Sequence, residues 1–228
     1  MEVIQAKSAG FCFGVARAVK MARELAEADP RPRMLGSVIH NRHVTAALAE
    51  GGMEELSSPD QAQAGDSVLL RAHGVGRETY RLLERRGARI VDATCPKVAH
   101  VQRLVEQAER EGRQPVMIGD PEHPEVRGAA GWCESLLVFS GPEEVGKWAE
   151  TAGADRVAGL TVVSQTTLRR EVWETSLKII KKECTNVKIF DTICDATHTR
   201  QSEAAQIAAR VDAMVVVGDP KSANTTHL

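Results

Sequence analysis

The sequence predicts an α/β protein of three lobes related by a pseudo-threefold repeat, each a small parallel sheet flanked by helices around one shared centre, with the third lobe incomplete. Three observations predict it. Strand and helix signals alternate along the chain with short connections, which implies parallel sheets. Aromatic residues make up only 4% of the 228 residues, so the cores must be built from Val, Leu, Ile and Ala, as in sheets buried under helices. Finally, Cys12 leads to Gly36, Cys95 to Gly119 and Cys194 to Gly218, 24 residues in each case. Each glycine closes a hydrophobic run and opens a polar stretch: Ser37–Asn41, Asp120–Glu125 or Asp219–Asn224. Fixed-period self-similarity of this kind marks repeated modules. The three cysteines fall in different modules and can meet only where the modules meet.

The first lobe is read over residues 1–95. A helical apolar stripe runs through Val15, Ala18, Val19, Ala22, Leu25 and Ala26 and stops at Asp29-Pro30. A strand closes at Met34-Leu35-Gly36, and a helix over Val44–Glu50 ends at Gly51-Gly52. Ser67–Arg71 reads as a buried strand, Thr79–Arg86 as a helix, and Ala88–Asp92 as a strand delivering Cys95. The second lobe, 96–191, repeats the scheme. It has a stripe over Val98–Ala108, strands at Val116–Ile118, Leu136–Phe139 and Leu160–Val163, and helices from Pro142 to Ala149 and Glu171 to Lys182. Strand Val187–Phe190 then leads to the third lobe, 192–228, with Cys194, a helix near Gln201–Val211 and a strand at Met214–Val217. Only 34 residues follow Cys194, so this lobe reads as a fragment.

Composition excludes several classes. A net charge of −2 gives no basic field for nucleic acid. No apolar run approaches the roughly 18–20 residues of a membrane span, and the first residues lack the apolar core of a signal peptide. Five cysteines without close pairing are unlike a disulfide framework and point to the reducing cytoplasm.

Ligands of parallel α/β units gather at the carboxyl ends of the strands. Cys95, Cys194, His40, His73, His123, the run Ser164–Thr167 and the run Ser222–Asn224 all follow strands. Three thiolates from separate lobes suit an iron–sulfur cubane with one iron left without a protein ligand, free to act as a Lewis acid. Glycines on either side of Cys12 let the backbone approach a bulky group, and Phe11 and Phe13 can shield it. Zinc is disfavoured because no Cys-x2-4-Cys pair occurs. Cys133 and Cys184 lie outside the repeat and read as structural.

Taken together, seven motifs resemble the 4-hydroxy-3-methylbut-2-enyl diphosphate reductase family: Gly10–Val15, His40-Asn41-Arg42, Ala72–Val75, Asp92–Pro96, His123–Gly128, Gln165–Leu168 and Ile193–Thr197. The resemblance runs from Phe11 to the end of the chain. It implies a central [4Fe–4S] cluster held by Cys12, Cys95 and Cys194. It also implies a diphosphate seat of His40, His73, His123, Ser222 and Asn224, proton delivery by Glu125, and Thr166 at the substrate hydroxyl. Reductive removal of the allylic hydroxyl, with ferredoxin or flavodoxin as electron donor, would yield isopentenyl and dimethylallyl diphosphate. The residue types suit that chemistry. A diphosphate wants N–H and O–H donors in a dry pocket, and a carboxyl raised by burial can hold a proton. His43, His100, His198 and His227 lie outside these motifs and read as having no ligand role.

Two departures from the family pattern stand out. Ala223 interrupts the small polar run, and a later polar segment with a further diphosphate-binding serine lies beyond residue 228. A three-lobed cluster-dependent lyase or synthase of the quinolinate synthase kind is the enzymatic alternative. A cluster-binding module without a working pocket is the non-enzymatic one.

Overall fold

The computed structural model describes residues 2–152 and 159–228. The first half of the chain forms α1 (Phe13–Ala28), β1 (Pro32–Leu35), α2 (Arg42–Glu50), β2 (Glu54–Leu56), β3 (Ser67–Leu70), α3 (Arg77–Arg85) and β4 (Arg89–Asp92). The second forms α4 (Pro96–Arg110), β5 (Gln114–Ile118), α5 (Pro124–Ala130), β6 (Leu137–Phe139), α6 (Pro142–Thr151), β7 (Leu160–Ser164), α7 (Arg170–Glu183) and β8 (Lys188–Ile189). Helices α8 (Asp195–Ala208) and α9 (Ala223–Thr226) follow.

Both sheets are parallel and have the same strand order, β2-β1-β3-β4 and β6-β5-β7-β8. The equivalence reaches single hydrogen bonds. Gly36 N donates to Leu56 O, and Gly119 N to Phe139 O, each 2.9 Å. Alternate strand residues feed opposite faces, as the pleat requires. Met34 and Leu69 join Ala18, Ala22 and Leu25 of α1 on one side, and Leu35, Val68 and Leu70 join Leu83 of α3 on the other. The second sheet buries Val116, Ile118 and Val162 under Trp173 and Ile180 of α7. Its other face packs Met117 and Val163 against Val105 and Val126.

Two elements escape the sequence reading. Strand β2 is an edge segment with two exposed glutamates and one buried leucine. Helix α5 is seven residues long, started by Pro124 and capped by His123. Helix α8 begins at Asp195, directly after Cys194 and six residues before the expected start at Gln201. The strand expected at Met214–Val217 does not form. No described strand lies beside it to supply ladder bonds, and Val215 and Val217 are 85% and 93% exposed.

The two sheet units meet glycine against glycine. Arg77 N donates to Gly131 O at 3.1 Å, and Trp132 Nε1 donates to Val75 O at 2.9 Å. A Cβ on Gly131 would sit 2.5 Å from the Cα of Gly76. Its φ of −76° suits any residue, so the requirement is closeness alone. Gly131→Ala should therefore destabilise by about 1–3 kcal/mol, the usual cost of overpacking, read as a lower urea midpoint at unchanged m-value.

Candidate active site

In a sheet of order 2-1-3-4 the crevice lies where the order reverses, outside the carboxyl ends of the two central strands. His40 follows β1 and His73 follows β3. His123 and Glu125 follow β5, and Thr166 follows β7. The two crevices face one another, and the three histidines meet between them. Ring centroids lie 4.4 Å apart for His40–His73 and 5.7 Å for each pair with His123.

Burial holds all three imidazoles neutral. It is the main cause of the lowered pKa of His40, of His73 (well below its usual value) and of His123 (down to about 4). The positive charge of Arg71 acts on each of them in the same direction. His123 Nδ1 accepts from Glu125 N at 3.1 Å, which places the ring proton on Nε2. His40 Nε2, His73 Nδ1 and Arg71 Nε are buried without a partner. Buried polar atoms are normally satisfied, so these mark a place for a polar ligand. Among the described residues, the histidines are also the one group of three ligating side chains whose ligand atoms lie within 4.8 Å of one another. A cation there would face Arg71 with no carboxylate in the set, whereas an anion would be welcomed by both.

Glu125 is 2% exposed. Its carboxylate accepts from Thr166 N and Thr166 Oγ1, both at 2.7 Å. Burial raises its pKa to about 7 against the opposing pull of those two bonds. Thr166 O in turn accepts from Cys194 N at 2.8 Å. Carboxyl, hydroxyl and cysteine thus form one continuous chain.

Each repeat cysteine is the N-cap residue of a helix: Cys12 of α1, Cys95 of α4, Cys194 of α8. Helix N-termini favour thiolates. A Cβ on Gly14 would lie 2.5 Å from Cys95 Sγ, so only glycine lets the two helix starts approach. Burial raises the Cys95 thiol, and the neighbouring Cys12 and Cys194 add to the rise. Yet no three cysteine sulfurs close within 4.8 Å among the described residues. One zinc at roughly 2.3 Å from each sulfur would need them about 3.8 Å apart. Three thiol side chains from three helix starts are a soft donor set of the kind that iron–sulfur groups take. Phe11 and Phe13, on either side of Cys12, are 52% and 75% exposed. Cys133 and Cys184 stand outside the group as free thiols.

The segment after Gly218 lies against the histidines. Asp219 accepts from Arg42 N at 3.3 Å and its charge reaches His40. Ser222 caps α9 without a side-chain bond, and Asn224 Oδ1 accepts from Thr197 Oγ1 at 3.4 Å. Sequence reasoning gave His227 no ligand role and did not single out Arg71. His227 Nδ1 lies 2.7 Å from Thr167 O, beside His123. Arg71 stands one residue before the Ala72–Val75 motif, and nothing in the sequence shows that its charge stays unpaired.

Comparison with known proteins follows the same line. Residues 3–228 match the LytB protein family. The 4-hydroxy-3-methylbut-2-enyl diphosphate reductase of Caldanaerobacter subterraneus is 38% identical over 232 residues, all of this chain and 79% of that protein. The enzyme of the same name from Nitratidesulfovibrio vulgaris is 40% identical over 240 residues, with 81% of its length covered. The solved structure of (E)-4-hydroxy-3-methyl-but-2-enyl diphosphate reductase, terminal enzyme of the non-mevalonate pathway, superposes with a TM-score of 0.77 at 34% identity, over 98% of this chain and 79% of that one.

The raised carboxyl has a measurable consequence for stability. Folding favours protonated Glu125, so its contribution is complete below pH 4.5 and is lost as pH rises to about 7. The lowered histidines act oppositely in an overlapping window, losing stability as pH falls below 6.5. The difference in unfolding free energy between wild type and Glu125→Gln isolates the carboxyl. It should change by about 3 kcal/mol across pH 4.5–7, and a flat difference curve would contradict the assignment.

Proposed function

The chain belongs to the LytB protein family, and from that premise we propose that it reductively dehydroxylates 4-hydroxy-3-methylbut-2-enyl diphosphate to isopentenyl and dimethylallyl diphosphate. The observation that carries this reading is the hydrogen-bonded chain Glu125–Thr166–Cys194 set beside the histidine trio. Proton store, hydroxyl contact, thiolate and anion seat form one unit.

Cys12, Cys95 and Cys194 would hold the cofactor, a [4Fe–4S] cluster. When bound it supplies electrons singly and an iron without a protein ligand. His40, His73 and His123 donate N–H groups to the diphosphate, with Nε2 of His123 already committed as a donor by the bond at its Nδ1. Ser222 and Asn224 lie on the segment that meets the site through Asp219 and are assigned to the same anion. Ala223 leaves its share of that run to the backbone. Glu125, titrating near neutrality, holds one proton in the dry interior. It can pass it to Thr166 Oγ1, whose own O–H then turns to the leaving hydroxyl. The reaction consumes two electrons and two protons and releases water. A ferredoxin or flavodoxin would deliver the electrons. Among the described residues no helix is long and apolar enough to cross a membrane, and five free thiols favour a reducing cytoplasm.

The test is anaerobic purification with iron and sulfide assay, followed by turnover with a one-electron donor. Glu125→Gln should lower kcat by about 10²–10⁴ with KM little changed. His73→Ala should raise KM by roughly ten- to a hundredfold, the loss of a hydrogen bond to a charged group. Stoichiometric zinc without iron, or intact cluster without turnover of the allylic diphosphate, would refute the reading.

A further inference from the structure

Arg71, whose charge acts on all three histidines, also lines an open pocket of about 280 Å³ between the carboxyl ends of β1 and β3 and helix α5, whose wall includes none of the three. Its wall includes Arg71, Arg127, Ser57, Thr79, Gly36 and Gly76, and no acidic residue. Arg71 and Arg127 are close enough for the charge of one to act on the other. Arg71 Nε is buried without a partner, and the guanidinium pairs with no carboxylate among the described residues. Arg127 does have a partner, Glu122, but that pair is exposed at the rim, with side chains 61% and 77% exposed, and is worth little.

Two guanidiniums that share a pocket repel one another, and among the described residues no carboxylate pairs with the half-buried one. Guanidinium groups with adjacent hydroxyls are the donor set that tetrahedral oxyanions select. The space is several times the roughly 30 Å³ share of one water.

We propose that this cavity is a second anion site that binds inorganic phosphate. Arg71 lines it and also acts on the histidines, so the two sites share one positive charge. Phosphate in the cavity neutralises Arg71 and adds negative charge next to it. The sites are then negatively coupled, and phosphate raises the KM of the diphosphate substrate. The coupling rests on the function proposed above; the binding itself does not.

The test is calorimetric titration of inorganic phosphate into the cluster-loaded protein, as wild type, Arg127→Gln, Arg127→Lys and His123→Ala. Wild type should bind phosphate. Arg127→Gln should weaken it about tenfold or more, the loss of one charged hydrogen bond. Arg127→Lys should weaken it less, since the charge remains. His123→Ala should bind within about twofold of wild type, since a ring outside the pocket wall makes no direct bond to the phosphate. In turnover assays Arg127→Gln should keep its phosphate-free rate and lose the phosphate-dependent rise in KM. No binding to wild type, equal binding to Arg127→Gln, or loss of binding in His123→Ala alone would overturn the proposal, the last by placing phosphate among the histidines. Absence of all turnover would refute the functional reading and leave the titrations standing.

Discussion

Thr166 holds the site together with all three of its polar atoms. Its N–H and O–H both go to the Glu125 carboxylate, and its carbonyl takes the backbone N–H of Cys194. The first two bonds lie on the buried side of β7, where an unmet donor would cost about 1–3 kcal/mol. The third fixes the start of α8 and with it the third thiol. A residue without a hydroxyl would leave the carboxylate half satisfied. A shifted backbone would release the cysteine. The Glu125 carboxyl and Cys194 are thereby kept in register by a single residue, through its N–H, its hydroxyl and its carbonyl.

The anion seat is organised on a different principle. Its histidines are neutral because they are buried, and they are crowded because each comes from a different strand end. Neutral rings tolerate this closeness, as three imidazolium ions roughly 4–6 Å apart would not. Positive charge is supplied from one step away by Arg71. A polyanion bound there, as proposed, would favour protonation of the rings and pair with their N–H groups, so the ligand itself would create part of the charge that binds it.

Much of this was legible in the sequence. The regular helices and the buried strands have long, periodic apolar patterns, and they appear where that periodicity puts them. The cysteine-to-glycine spacing marked positions whose equivalence now extends to the bonds of Gly36 and Gly119. What escaped has physical causes. Strand β2 carries one buried side chain, too few for a pattern. Helix α5 has barely two turns and owes its start to Pro124 and the ring of His123. The Val215–Val217 run has strand composition, yet a strand exists only when another lies beside it, and composition does not record that. The place of Arg71 and His227 is relational and so leaves no mark in the sequence: one has no carboxylate partner among the described residues, the other rests on a carbonyl 60 residues away.

The repeat also explains how one scaffold reached several chemistries. Four residues after Gly36, Gly119 and Gly218 stand His40, His123 and Ser222; six residues after stand Arg42, Glu125 and Asn224. The first set consists of side chains that can each donate a hydrogen bond, as the proposed anion seat requires. The second set differs in kind: a cation, a carboxyl and an amide. The backbone bond that holds each edge cysteine is likewise shared, Cys95 N to Ala72 O at 2.9 Å and Cys194 N to Thr166 O at 2.8 Å. Ala72 can offer only its carbonyl, whereas Thr166 adds a hydroxyl that reaches Glu125. The two lobes therefore differ at equivalent positions by two side chains, Glu125 and Thr166, where the first lobe has Arg42 and Ala72; on the proposed reading, that difference is what would direct protonation to one side.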